Sequence, residues 1–310
     1  MKTNRRNFLK LIGLGFLSLS FNPFKNVFAK KTLPPKTPTG FPDLVGVKDG
    51  SPAQMFEMGI EAMGGMKRFV KKGQTVLVKP NIGWNKTPNE GANTHPDLIG
   101  KIIEEAYKAG ASKVDVFDHT CNEESACYEN SGAKKIIKQS KGILHTAEDE
   151  KAYRTVKIPG AKILKEAKVH QLFLDADVII NVPILKHHAG TGMTAAMKNF
   201  MGVVWDRSFW HREGLNQSIA DFPLLRKIDL TVIDAYTIMT RNGPRGISSN
   251  DLELKKMQIL STDMVLADTA ATKIMNLKVT DVDYIKMAEK HGIGTTNIDK
   301  SYVKRISCKA

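Results

Sequence analysis

The sequence predicts an α/β protein with a mostly parallel sheet and helices on both faces, built as one large domain or as two fused lobes. From about Val45 onward, apolar β-branched runs alternate with segments of helical periodicity, and this alternation is typical of parallel sheets. Five of the apolar runs also stop at polar residues. Ligands of such sheets bind beyond the carboxyl ends of the strands, so these strand ends predict a binding site.

The predicted elements follow in order along the chain. The run QTVLVKPN predicts a strand ending at Lys79, and SKVDVFDHT predicts a second strand ending at Asp118. Between them, residues 96–108 predict a helix that Gly110 closes. The other predicted elements are a strand ending at Asn181 before Lys186, His187 and His188, a strand IDLTVIDAYT ending at Asp234, a strand KMQILSTD ending at Ser261 to Asp263, and a helix through Asp268 to Met275.

Residues 1–29 have the features of an export signal. Arg5 and Arg6 precede a short apolar stretch, Leu11 to Phe21, which is the arrangement of a twin-arginine signal. The stretch is too short to cross a bilayer, and small residues up to Ala29 are typical of a signal peptidase site. We therefore expect export by the twin-arginine translocase to the periplasm, or otherwise outside the cytoplasm, and no stable membrane insertion after cleavage.

Removal of the signal changes the charge of the chain and defines the remaining segments. Residues 30–44 are rich in Pro, Lys and Thr and predict a flexible leader before an α/β domain over 45–310. The remaining basic excess favours an anionic small molecule or an acidic cell-envelope surface as a partner. No basic surface with interleaved aromatic residues is evident, so nucleic acid is not expected. The net charge falls from +14 to +9 because no acidic residue is removed with Lys2, Arg5, Arg6, Lys10 and Lys25.

The segment ILKHHAGTGMTAAMKNFMGVV, residues 184–204, combines two histidines, a Gly-Thr-Gly turn and a Lys-Asn pair. Its apolar pattern predicts a helix from about Met193 to Val203, with Thr191 or Thr194 as the N-cap. Lys198 then lies about one turn into the helix, where a phosphate or carboxylate is favoured, or where a lysine is used covalently. A solvated lysine beside a hydrogen-bonded core histidine is the structural alternative.

Candidate roles follow for the polar residues of this region. We expect Lys198 to neutralise or bond a ligand, and His187 or His188 to transfer protons near neutral pH. Asp234 is expected to hold a cation or to orient a base. The other predicted ligand-binding residues are Lys79, Asn81 and Asn199, together with Arg207 from WDRSFWHREG and Arg245 from RNGPRG, although the last two segments also fit an exposed loop and a simple turn.

Metal binding is a further expectation of the sequence. His119, His187, His188 and His211 fall near the inferred crevice, and such imidazoles with a carboxylate suit nickel, zinc or iron. We predict His211 and Asp263 as metal ligands, although no H-x-x-x-H pattern is present.

The cysteines do not indicate a cluster or a zinc finger. The chain has three of them, and their spacing fits neither an iron–sulfur cluster nor a zinc finger, so no iron–sulfur cluster is expected. A disulfide between Cys121 and Cys127 is favoured for an exported protein, and free thiols are the alternative.

Several segments together resemble a known family. VLVKPNIG, NTHPDLIGKIIEEAYKAGASKVDVFD, ADVIINVPILKHHAGTGMTAAMKNFMGVV, LTVIDAYTIMTRNGPRG and STDMVLADTAATKIM look like the bacterial and archaeal domain of unknown function 362, over Val76 to Met275. That family has little settled biochemistry, and many of its members carry ferredoxin-type iron–sulfur modules. This chain has no Cys-rich run, in which it departs from those members.

A weaker resemblance concerns the nickel-pincer lactate racemases. The spacing of His188 and Lys198, with glycines between and after them, is similar to a segment of those enzymes. The resemblance implies that Lys198 anchors the pincer cofactor, that His188 transfers protons with His119 as a partner, and that His211 ligates nickel. Ala195 and Ala196 stand where that family favours glycines, which separates this chain from its pattern.

These features predict the class of function but neither the substrate nor the reaction. We expect an exported α/β protein that binds an anionic small ligand or a metal-containing cofactor at the carboxyl edge of the sheet, with histidine and lysine acid–base chemistry if it is an enzyme. The alternative is a non-catalytic accessory or assembly partner of an envelope redox system.

Overall fold

The computed structural model describes residues 40–309 of the 310-residue chain. The predicted signal peptide, residues 1–29, and residues 30–39 of the predicted leader lie outside the described part. Residues 40–309 form one compact unit. No helix within residues 40–309 is long and apolar enough to cross a membrane.

The secondary structure alternates strands with helices along most of the chain. The strands are β1 (Leu44–Lys48), β2 (Thr75–Pro80), β3 (Lys113–Val116), β4 (Ile143–Leu144), β5 (Tyr153–Lys157), β6 (Glu166–His170), β7 (Val178–Val182), β8 (Ile184–His188), β9 (Gly192–Thr194), β10 (Leu230–Met239), β11 (Leu252–Ser261) and β12 (Val303–Ser307). The α-helices are α1 (Pro52–Ala62), α2 (Pro96–Ala109), α3 (Glu124–Asn130), α4 (Ala133–Gln139), α5 (Gln171–Asp175), α6 (Arg207–Glu213), α7 (Leu215–Asp221), α8 (Met264–Ile274) and α9 (Asp283–Lys290). The 3-10 turns are Met66–Arg68, Pro88–Glu90, Glu150–Ala152, Met197–Val203, Phe222–Leu224, Ser249–Asp251 and Val279–Asp281.

Within residues 40–309 the main sheet has ten strands, of which eight follow the order β12-β1-β11-β10-β7-β2-β3-β4, while β8 and β9 lie off this path. The run from β10 through β7, β2 and β3 to β4 is parallel, whereas β11 is antiparallel to both of its neighbours. Strand β8 continues beyond β7 along β10, and β9 pairs with β8. A separate hairpin joins β5 and β6. The mostly parallel sheet predicted from the sequence is confirmed.

Helices cover both faces of the main sheet, as predicted. Alternation along β2 sends Val76 and Val78 into one core and Leu77 into the other, because successive strand side chains point to opposite faces. Helices α1, α2 and α4 bury apolar residues in the first core, and α7, α8 and α9 do so in the second. The predicted α2 is confirmed, with Gly110 as its left-handed C-cap.

The sheet register places two polar side chains beside each other at the edge of the second core. Lys79 at the end of β2 pairs with Asn181 near the end of β7. Both continue the face that buries Leu77 and Ile179. Their side chains are fully buried, so the carboxyl edge of the sheet has a polar interior under the site described below.

The helix predicted over Met193 to Val203 is wrong. The segment instead forms β9, in which Thr194 pairs with Lys186 of β8, followed by the 3-10 turn Met197–Val203. Thr194 therefore caps no helix, and the start of the 3-10 turn has no side-chain cap from its own residues. The expected helix N-terminal anion site is absent from the described chain at this position.

Tertiary hydrogen bonds explain this departure from the local pattern. The carboxylate of Asp268 in α8 accepts from the backbone N–H groups of Ala196 and Met197, at 2.6 and 3.1 Å. The side-chain amide of Asn181 donates to the carbonyl of Ala196 at 3.0 Å. These buried partners satisfy the backbone where a regular helix would begin, so tertiary contacts outweigh the helix propensity of the segment.

Two other predicted strand ends also require correction. Strand β10 continues past Asp234 to Met239, so Asp234 is not a strand end, and its carboxylate accepts from the N–H groups of His95 and Tyr236 at 2.7 and 3.0 Å. Because β11 is antiparallel to β10 and pairs Ser261 with Thr231, the chain leaves β11 toward the amino-terminal end of β10.

The favoured disulfide does not form in the structure. Cys121, Cys127 and Cys308 are all free. Cys127 is buried in the first core, where burial raises the pKa of its thiol. Cys121 lies on an exposed loop after β3.

Candidate functional site

A pocket of about 400 Å³ lies where β2, β3 and β8 end, closed by the 3-10 turn 197–203 and by α6. This is the carboxyl edge of the parallel strands, as the sequence predicts. Three of the five predicted strand ends contribute to it, and β9 adds Thr194. Six of its lining side chains carry a positive charge or can take one: His119, Lys186, His188, Lys198, Arg207 and His211.

The described lining of this pocket includes one carboxylate, that of Asp118. One of its oxygens lies 2.6 Å from the Nζ of Lys79, and the other accepts from the backbone N–H of Ile82 at 2.6 Å. The charge of Asp118 is therefore compensated inside the protein. The remaining lining groups leave the pocket electropositive, which attracts anions.

Lys79 is fully buried beneath the pocket rather than exposed to it. Burial lowers the pKa of its amine, and the neighbouring Asp118 opposes that shift. Gly202 makes this pair possible, because a Cβ at that position would lie 1.8 Å from Oδ1 of Asp118. The predicted ligand-orienting residue thus stabilises the floor of the site.

Three asparagines tie the strand ends to the 3-10 turn. The side-chain amide nitrogen of Asn199 donates to Oδ1 of Asn181 at 2.9 Å and to the carbonyl oxygen of Lys79 at 3.1 Å. Its Oδ1 accepts from Asn81 at 3.0 Å. Buried amide groups that are satisfied in this way fix local geometry. Asn81 and Asn199, which the sequence predicts as ligand-binding residues, both line the pocket.

Lys186 lines the pocket although the sequence did not predict it as a site residue. Its Nζ donates to Oδ1 of Asn81 at 3.0 Å and to the carbonyl of Ala92. Burial lowers the pKa of its amine to about 7. The signal for this residue was available, because alternation along β8 places Lys186 and His188 on one face and His187 on the other.

Lys198 presents a buried amine to the pocket. The residue is 8% exposed, and the contact of its Nζ within the described chain is the Sδ of Met201 at 3.3 Å. A thioether sulfur is a weak acceptor. Burial lowers the pKa of the Lys198 amine to about 8, so the group is protonated for most of the time at neutral pH and lacks an oxygen partner.

The two adjacent histidines have different environments. His188 lines the pocket, and its Nδ1 accepts from the N–H of Gly190 at 3.1 Å. Burial and the charge of Lys198 lower the pKa of His188 to about 3, so its ring is neutral and its Nε2 carries the proton. His187 points away from the pocket, and its Nδ1 accepts from the N–H of Gly243 at 3.1 Å.

The ring of His119 has the other neutral tautomer from that of His188, with its proton on Nδ1. Its Nδ1 lies 3.0 Å from the carbonyl of Val204, and because a carbonyl only accepts, Nδ1 donates and Nε2 keeps a free lone pair. Its ring stacks on Trp205 at 5.6 Å between centroids. Burial and the nearby Arg207 lower its pKa.

Arg207 and His211 project from α6. Arg207 donates to the carbonyls of His119 and Thr120, both at 2.7 Å, and to the Sγ of Cys121 at 3.3 Å. It therefore holds the loop after β3 against the pocket. His211 lines the pocket, and burial and the charge of Lys198 lower its pKa.

Five predicted site residues are not brought to the pocket lining, and one of them is Lys79, which lies beneath it. His187 and Asp234 have the internal partners described above. Arg245 lies over the ring of Trp84, with 5.6 Å from its Cζ to the ring centroid, and Trp84 itself lines the pocket. The carboxylate of Asp263 accepts from the N–H groups of Leu266 at 2.9 Å and Thr295 at 2.9 Å. The grouping of Asp263 with His211 as metal ligands is therefore wrong.

The donor groups in the described chain do not fit a metal held by side chains alone. Within residues 40–309, no group of three or more His, Cys, Asp or Glu side chains is arranged to hold a metal ion. The pocket imidazoles are accompanied by amines and a guanidinium, which repel a cation.

The fold and the pocket define an α/β protein with an electropositive pocket at the carboxyl edge of its parallel strands. The chain belongs to the family described as "Domain of unknown function (DUF362)", whose family model matches residues 76–273. The match confirms the resemblance seen in the sequence over Val76 to Met275.

Two known proteins are similar to this chain. The "Thylakoid-associated protein sll1697" of Synechocystis sp. is 25% identical over 252 residues, which cover 78% of this chain and 76% of that protein. The lactate racemase apoprotein from Thermoanaerobacterium thermosaccharolyticum matches in structure with a TM-score of 0.44 and 10% identity. That match covers 73% of this chain and 55% of the racemase chain, so this chain spans little more than half the length of that structure.

Proposed function

We propose that the pocket binds an anionic small molecule and that its imidazoles transfer protons to or from that molecule. The observation that carries the proposal is the environment of Lys198, whose buried amine faces the pocket and contacts a sulfur atom instead of an oxygen. A buried charge without a partner destabilises a protein. A bound carboxylate or phosphate would supply the missing oxygen.

The surrounding charges support an anion rather than a neutral ligand. Lys186 and Arg207 line the same pocket as Lys198, and the carboxylate of Asp118 is already engaged by Lys79. Lys186 and Arg207 each have N–H groups that donate to no described residue. Lys186 uses two of three N–H groups and Arg207 uses three of five.

The two histidine tautomers support proton transfer. In the neutral rings, His119 offers a lone pair at Nε2 and His188 offers a proton at Nε2. Both residues line the pocket. One acceptor and one donor in a single pocket suit acid–base catalysis, in which one group removes a proton while another hydrogen-bonds the developing charge.

Export and a metal-containing cofactor remain predictions of the sequence. Residues 1–29, which carry the twin-arginine pattern, lie outside the described part of the chain. A cofactor with its own metal ligands, anchored by its anionic groups, is consistent with an electropositive pocket. It requires no protein ligand set of the kind that residues 40–309 lack.

Calorimetric titration tests the binding proposal. Phosphate and L-lactate are titrated into the wild-type protein at pH 7, and we expect saturable binding to at least one of them. Lys198→Met is expected to weaken that binding by roughly tenfold or more, since one charge-assisted hydrogen bond is lost. The matched control is Lys134→Met, because Lys134 is exposed on α4 and pairs with Glu129. Equal loss in both variants would refute the assignment of the site.

A further inference from the structure

We infer that Lys198 forms an imine with the carbonyl group of its ligand, and that the ligand class is the small α-oxo acids. This inference rests on the proposed function, because the carboxylate of such an acid would bind in the same electropositive pocket. It adds a covalent step and a substrate class to a site proposed above only as an anion-binding and proton-transferring pocket.

The contrast among three buried lysines carries the inference. Lys79 donates three hydrogen bonds and Lys186 donates two, all of them to oxygen atoms. Such contacts hold an amine as a charged donor. Lys198 has the Sδ of Met201 as its hydrogen-bond partner in the described chain, and its Nζ opens on the pocket. Among these amines, Lys198 therefore has its nitrogen available for attack on a carbonyl carbon.

The acid–base state of Lys198 supports the same role. Burial brings the pKa of its amine to about 8, whereas a lysine in water has a value near 10.4. At neutral pH the free-amine fraction of Lys198 is therefore roughly a hundredfold larger than that of a surface lysine. A lysine desolvated beside other cations is a known type of imine-forming nucleophile.

The class of ligand follows from the neighbouring charges. An α-oxo acid carries its carboxylate on the carbon next to the carbonyl. Lys186 and Arg207 line the pocket with N–H groups to spare, so they offer partners for the carboxylate while Lys198 meets the carbonyl. A simple aldehyde would leave these cations without a counter-ion, and a phosphate has no carbonyl carbon.

The step balances without a further reactant. The ammonium of Lys198 gives one proton to His211, and the resulting amine adds to the carbonyl carbon. The carbonyl oxygen of the acid then takes a second proton from the Lys198 nitrogen and becomes a hydroxyl group. This hydroxyl leaves as water with the proton that His211 returns. The products are a protonated imine and water. His211 is available for this exchange because it lines the same pocket, and because burial and the charge of Lys198 lower its pKa, so that its ring is neutral and can accept a proton.

Reductive trapping tests the inference. The protein is incubated with pyruvate and cyanoborohydride at pH 7, digested, and examined by mass spectrometry for a reduced adduct. We expect the adduct on Lys198, formed at least about tenfold faster than on any surface lysine. Lys198→Arg keeps a cation but has no primary amine, so it is expected to give no adduct at this position. Lys134→Met is expected to react as the wild type does. Thermal melting confirms that both variants are folded.

Titration with L-lactate runs in parallel, since lactate has the same carboxylate but a hydroxyl instead of the carbonyl. Adduct on Lys198 together with lactate binding supports both proposals. Lactate binding without an adduct, or with adducts spread over surface lysines, overturns the imine and leaves the anion pocket standing. Failure of both measurements overturns the inference and the proposed function together.

Discussion

Lys186 and Lys198 are amines that the fold buries without an ion pair to any described residue. Burial disfavours their charged forms and lowers the pKa values to about 7 and about 8. Such groups reduce stability in the free protein. Functional sites commonly retain groups of this kind, because a buried amine without an ion pair is free to bind a ligand.

Replacement of Lys198 by Met is expected to stabilise the protein in the absence of ligand. Between pH 8 and 10.5 the unfolded chain holds a proton on Lys198 that the folded chain lacks, so wild-type stability rises with pH in this window and is reduced below it. At pH 7 we expect a gain on the order of 2 kcal/mol for the variant. Urea denaturation at pH 7 and pH 10 measures it. A variant that is less stable at pH 7 would show that Lys198 has a structural role.

The secondary structure of the parallel strands was easier to predict from the sequence than the 3-10 turn 197–203, which completes the pocket. Alternation of apolar residues identified β2 and its end at Lys79, and the Gly110 signal identified the end of α2. The 3-10 turn 197–203 was missed because Asp268, distant in sequence, holds its first backbone N–H groups. Local periodicity contains no information about such a partner.

The sequence identified some residues of the candidate site correctly and misassigned others. His188 and His119 were found because they lie at or just after strand ends, and Lys198 was found because a lysine is conspicuous in an apolar segment. Asp234 was misassigned, because its strand continues for five more residues to Met239. Neither its burial nor its bonds to backbone N–H groups leave a local sequence signal.

Gly202 tests how tightly the 3-10 turn packs on the floor of the pocket. A Cβ at this position would lie 1.8 Å from Asp118 and 2.6 Å from the Nζ of Lys79, so Gly202→Ala is expected to separate that pair and cost more than about 2 kcal/mol. The control is Gly46→Ala in β1, where a Cβ meets nothing within 4 Å. Urea denaturation midpoints compare them, and equal midpoints would contradict the close packing.

For the molecule as a whole, the sheet topology decides which strand ends meet. Strands β2, β3 and β8 deliver side chains to one pocket because all three run in the same direction as β7 and β10. The sequence treated the end of β11 as equivalent, but β11 is antiparallel. Strand direction depends on connections across the whole chain, so Asp263 was misplaced for a reason that no local pattern reveals.

Export of the protein remains a prediction from residues 1–29. Replacement of both Arg5 and Arg6 by Lys is expected to abolish export in a bacterial host that has the twin-arginine translocase, because the paired arginines are the recognition feature. Lys25→Arg lies outside the pair and is the control. Cell fractionation with immunoblotting reads the result, and equal periplasmic signal from both variants would argue against this route.

The central claim is that positive charge on the buried lysines binds an anion. The most direct test is the affinity for L-lactate measured by calorimetry at pH 7 and pH 9, since lactate keeps its charge across this range. With pKa values of about 7 and about 8, Lys186 and Lys198 lose most of their charge over the interval, so we expect the affinity to be roughly tenfold weaker at pH 9. Affinity that is unchanged between the two pH values, and unchanged in Lys198→Met, would contradict the claim.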